Sequence, residues 1–260
     1  VSSLTVTQLA GLNTTHFTAL STTQIGALTT TQVKGLSTTD VAAFTTTQIG
    51  ALSTVQVGVL TDTQLDNLTT TSVATFSTAQ VSALTNTQIG FLSTAAVQAL
   101  STTQVGALTS VQIGGLTTTQ LNAFTTTVFQ ALSTTQVSSL TVTQVKGLST
   151  TNLNALTTTQ VGVLTTTSLA ALTTTQLNAL TTTDVAALST LQVGNLTATQ
   201  ISGLTTTNFA VLTTTQVGAL TTTQIKAITT TEIGVISTTQ VGAMTTVQIG
   251  VLTDSQLDSL

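Results

Sequence analysis

The chain repeats every eight residues, and that period constrains its fold more than any other feature. Read from Leu4 it runs LTVTQLAG, LNTTHFTA, LSTTQIGA, LTTTQVKG and onward to LTDSQLDS. Thirty-two octads fill residues 4–259 of 260 without an insertion or deletion. Val1, Ser2 and Ser3 complete an earlier octad and Leu260 opens a later one. Residues 1–260 are therefore read as a single continuous array, expected to be a window on a longer chain. So short a unit cannot bury an apolar face alone, and a fixed period implies that copies stack on one another.

Each position has its own character. Position 1 is Leu, with Phe44, Phe76, Phe124, Ile228, Ile236 and Met244 as variants. Position 2 is Thr or Ser in every copy except Asn13. Position 5 is Gln in 22 of the 32 copies, and position 6 is always Val, Ile, Leu or Phe. Position 7 holds Lys34, Lys146 and Lys226, and all 17 glycines stand at position 7 or 8.

Two backbones compete for this pattern. Thr, Val and Ile favour strands, while Thr and Gly are mediocre in helices. A β-solenoid with ladders of Thr and Gln is the alternative, and an even period keeps strand alternation in phase. It needs a corner in every copy, because positions 1 and 6 have opposite parity. A helical reading explains more of the columns. Ser, Thr and Asn share N-capping ability, which accounts for Asn13 at position 2. Three residues later stands Gln, or Asp40, Asn152, Asp184, Asn208 or Glu232. Ser/Thr-x-x-Gln/Glu is a capping box, and positions 1 and 6 form the hydrophobic staple around it. On a helical wheel positions 6, 1, 5, 8 and 4 share one arc, with position 7 opposite.

One long helix is excluded. Eight residues turn through about 800°, so the apolar stripe would drift by about 80° per octad. The chain is expected to be all-α: a solenoid of helical turns of five or six residues, one per octad, each restarted at position 2. The glycines are expected at helix ends or close contacts, and all seven Phe residues in the core.

Composition bounds the function. Charged residues are 4% of the chain and the net charge is −4, where a globular domain carries about 25% charged residues. Hydrophobic residues reach 40%, so there is surface to bury. Three isolated lysines cannot displace the counterions of a nucleic acid. No apolar run approaches the ~20 residues of a membrane span. Without Cys there is no disulfide framework and no thiolate metal site.

Side chains for catalysis are scarce. The single imidazole, His16, occupies a capping position, so no nucleophile has an obvious base. Asp62 with Asp66, and Asp254 with Asp258, lie four residues apart and could share a cation. Calcium prefers six or more oxygens, so these pairs make only weak calcium candidates. No phosphate loop is present. The expectation is a protein that is not an enzyme, with no catalytic residue and no cofactor.

The pattern L-[ST]-T-T-Q-[VI]-G-A, as in Leu212 to Ala219, resembles the Thr/Gln octapeptide arrays of very large bacterial surface or secreted exoproteins and adhesins. The resemblance covers the whole chain and implies an extracellular, elongated, fibrous element. The expected role is a solenoid stalk or self-associating filament at the cell surface, adhesive in character. The alternative is a binding surface whose Thr rows recognise ice or glycan. Threonine density also makes O-glycosylation an expectation.

Overall fold

A computed structural model of the chain describes all residues 1–260. It contains 32 helices, one per octad, from Val6–Ala10 to Asp254–Leu257, and no strand. The expected all-α solenoid of short turns is the observed architecture, and the β-solenoid is excluded. The chain divides into two compact units, Val1–Ser139 and Leu140–Leu260. Each is built in the same way.

The octad Leu108–Gly115 shows how the sequence starts and stops a helix. Thr109 is extended, with φ −72° and ψ 161°. Its hydroxyl accepts the Gln112 N–H at 3.2 Å, while Gln112 Oε1 accepts the Thr109 N–H at 2.8 Å. Two of the four N–H groups that a helix start leaves without partners are thereby satisfied. The helix Ser110–Gly115 then ends at Leu116, which returns to φ −67° and ψ 139°. The Leu116 N–H donates to the Ile113 carbonyl at 3.2 Å, closing a tight last turn. Positions 1 and 2 are thus two extended residues that re-aim each helix.

The position-2 side chain accepts the position-5 N–H in every octad, and the box closes in all but seven. Four of the seven carry Ser or an apolar residue at position 5: Ser72, Ala96, Val128 and Ser168. The other three correct the sequence expectation. At His16, Asn152 and Asn208 the side chain does not return the bond. Side-chain length does not decide this, because Asp40 and Asp184 have the same reach as Asn and accept their N-cap N–H at 3.0 and 3.1 Å.

Helices pack against the third one along the chain. Asn86–Phe91 lies on Ser110–Gly115, and in the second unit Ala198–Ile201 lies on Thr222–Ala227. Away from the first and last turns, position 6 is sealed in the centre and position 1 nearly so, as at Ile113 and Leu116. Burying a Leu and a Val or Ile contributes about 1.5–3 kcal/mol per side chain, which a five-residue helix needs because it is unstable alone. Phe17 and Phe44 meet within this core with ring centroids 6.0 Å apart.

Two placements differ from the wheel. Position 4, assigned to the inner arc, is exposed in every octad. One turn re-aimed at each N-cap does not follow a continuous wheel, so only positions 5, 6 and 1 line the interior. Phe91 at position 8 is 52% exposed rather than a core filler. The glycines also act differently from a left-handed helix end, since no residue has positive φ. Gly90 instead lets backbones approach: a Cβ there would stand 2.9 Å from the Gly115 carbonyl oxygen, three octads on.

Candidate functional surface

The most conspicuous chemistry in the molecule is a ladder of carboxamides. In each octad with Gln at position 5, Oε1 is committed to the local N-cap, which leaves the Nε2 donors free to point elsewhere. Gln112 Nε2 donates to the carbonyls of Leu84 at 2.6 Å and Val81 at 2.9 Å. In the second unit Gln216 Nε2 reaches Leu188 at 2.7 Å and Val185 at 2.9 Å. The offsets of 28 and 31 residues recur at Gln56, Gln80, Gln136, Gln200 and Gln256.

The linker carbonyls, Leu84 and Leu188, lie beyond the helix ladder, and the carbonyls in the last helical turn, Val81 and Val185, accept the carboxamide in addition to the N–H of that linker residue at 3.2 and 3.3 Å. One glutamine therefore caps the start of its own helix and the end of a helix one turn below. Twenty-eight residues are three and a half octads, which agrees with each helix packing on its third neighbour. These glutamines are buried, and a buried amide is tolerated when both of its ends are paired.

Where position 5 changes, the ladder improvises. Asp184 accepts the Thr181 N–H through Oδ2 at 3.1 Å, and Oδ1 accepts the Thr158 hydroxyl at 2.9 Å. Asn208 does not accept the N–H of its own N-cap; the Thr205 N–H donates instead to Asn178 Oδ1 at 2.9 Å, from an octad below. Asn178 Nδ2 meets the Gly203 carbonyl at 2.7 Å, so a position-7 side chain has taken over both duties. Glu232 differs: Oε2 accepts the Thr229 N–H at 2.8 Å, while buried Oε1 has no partner. Burial pushes the Glu232 carboxyl above its ordinary range, against the lowering pull of the Thr229 N–H and hydroxyl.

The weak calcium candidates lie at the surface. Asp62 and Asp66 line an open depression of about 330 Å³ with Thr63, Gly90 and Phe91. Asp254 and Asp258 are exposed on the helix Asp254–Leu257 and the residue after it. Neither pair stands in a group of three or more His, Cys, Asp or Glu residues that could hold a metal ion. His16 is exposed, and its backbone N–H donates to Asn13 Oδ1 at 3.0 Å. Lys34, Lys146 and Lys226 are exposed at position 7, as expected from the repeat. No helix is long and apolar enough to cross a membrane.

What remains outside is the position-4 side chain of each octad, mostly Thr. Val55 and Val111 in the first unit, and Leu191 and Val247 in the second, take the same position of the octad, each 63–68% exposed. The repeat itself identifies the family. The model of the ALTTAQ repeat matches residues 1–38, 33–70, 90–118 and 219–254, together more than half of the chain. The chain belongs to the ALTTAQ repeat family. No curated protein matches it. In this ALTTAQ array the family's Gln is the residue that joins one turn to the next, and the Thr beside it faces solvent.

The ladder was missed in the sequence, although a signal for it was present. A capping box needs only an acceptor at position 5, a duty Glu performs as well as Gln. Yet Gln occurs there 22 times and Glu once. The preference for an amide over a carboxylate marks a second duty that requires a donor.

Proposed function

We propose that this ALTTAQ array is an extracellular structural element, a stalk or self-associating filament of a bacterial surface that also adheres. The observation that carries this reading is the placement of the polar groups. The interior carboxamides are spent on joining turn to turn, and no octad is interrupted by the irregular loop on which a grafted site usually sits. The role assigned is mechanical, without a catalytic step. Electron microscopy of the purified chain should show filaments or rods of constant width. Compact, monodisperse particles at every concentration would reject the reading.

A second reading rests on the position-4 side chains, exposed in every octad. Hydroxyls repeated on a rigid lattice suit an ordered partner such as ice or a polysaccharide, and they are accessible to O-glycosylation. Thermal hysteresis and retention on glycan columns test it. Absence of both effects, with filaments still forming, would leave the structural role alone.

A further inference from the structure

Glu232 is the one acid that stands on the ladder with a buried oxygen unpartnered. Its side chain is 3% exposed, and Oε2 is fully engaged at the N-cap, taking the Thr229 N–H at 2.8 Å and the Thr229 hydroxyl at 2.9 Å. Oε1 occupies the position that Nε2 fills in the Gln octads. By the offsets of 28 and 31 residues that those glutamines obey, the groups opposite it are the Leu204 and Ile201 carbonyls. Acceptor would then face acceptors in a site closed to water, an arrangement that costs free energy unless a proton lies between them.

We propose that Glu232 is held as the neutral acid, its Oε1–H serving as the rung to the Leu204 and Ile201 carbonyls, and that loss of this proton is a pH-operated release of the second unit's last turns. The proton comes from water and returns to it, and no other bond changes. The direction of the carboxyl's shift, upward through burial, agrees with this state.

The elements packed on the Glu232 helix bring no second buried charge. The helix Thr230–Ile233 packs on Thr206–Ala210, which has no titratable residue, and on Asp254–Leu257. Asp254 there and Asp258 just beyond are exposed, as is Lys226 on the preceding helix. The helix Ala198–Ile201, whose end carries one of the facing carbonyls, has no titratable residue either.

The sign follows from the proton count. A carboxyl with a raised folded-state pKa binds more protons folded than unfolded. Its contribution to stability is therefore whole below the ordinary value of about 4.3 and falls as pH rises toward the folded value.

The test compares the full chain with its E232Q variant, in which the carboxamide restores a permanent donor. Thermal unfolding and hydrogen exchange of residues 198–260 would be followed from pH 4 to pH 8. The two proteins should behave alike at pH 4, and the wild type should lose protection relative to E232Q as pH rises. All other acids are shared, so the difference isolates Glu232. Transplanting the device as Q112E should introduce the same pH-dependent loss into the first unit. A pH-independent difference between wild type and E232Q would overturn the proposal. So would a Glu232 carboxyl ¹³C shift that titrates at the ordinary value.

Discussion

Gln112 shows how much a single side chain does here. It takes one donor at its own N-cap and gives donors to two carbonyls a turn away. Gln112→Ala removes all three bonds and strands the Leu84 carbonyl in a buried setting. A loss of about 2–3 kcal/mol is expected by chemical denaturation, since each unmet buried group costs roughly 1–3 kcal/mol. The converse change should stabilise. Ala96 occupies position 5, fully buried, with its N–H already on the Ser93 hydroxyl. Ala96→Gln would close that box and reach the Leu65 and Leu68 carbonyls, for a gain of about 1 kcal/mol. An unchanged midpoint in both variants would mean that the amides are passengers. The capping half of this arrangement was legible because both partners lie within one octad. The other half was not, because its partner lies 28 residues away and no local rule connects them.

At the scale of one helix, the apparent conflict between propensity and structure has a simple source. Helix propensity measures the cost of a residue in a helix interior. A helix of five residues consists almost wholly of ends, where Thr and Ser are useful as caps. Their abundance therefore favours many short helices over one long helix, and over strands. Glycine divides the same way. Gly90 admits the Gly115 carbonyl, whereas at Gly106 an added Cβ would meet no atom of a neighbouring turn within 4 Å. Gly106→Ala should raise stability by roughly 0.5–1 kcal/mol through lost freedom of the unfolded chain. Gly90→Ala should lower it by a similar or larger amount, because backbone must yield. Thermal melts of the two variants side by side check the contrast. Identical shifts would show that the close approach is absent. Neither the Gly90 contact nor the exposure of Phe91 could be read from the octad, since each depends on which helix arrives from the neighbouring turn.

At the scale of the array, the fold class followed from the period, while the pitch did not. Eight residues per copy say that the chain turns, and the N-cap says where. The number of copies per turn is decided by the reach of the Gln side chain and by the packing of positions 1 and 6. Within each unit, stability should accumulate from neighbouring turns rather than from a single core. The pitch is the central claim, and it can be measured directly because the chain has no cysteine. In the first unit the Ser82 hydroxyl donates to the Ala107 carbonyl at 2.8 Å, across three octads. Cysteines placed at 82 and 107 should be joined rapidly by a short thiol cross-linker, while the pairs 82 and 99, or 82 and 115, should not. Preferential linkage of either control pair, or equal linkage of all three, would contradict a spiral that closes between three and four octads.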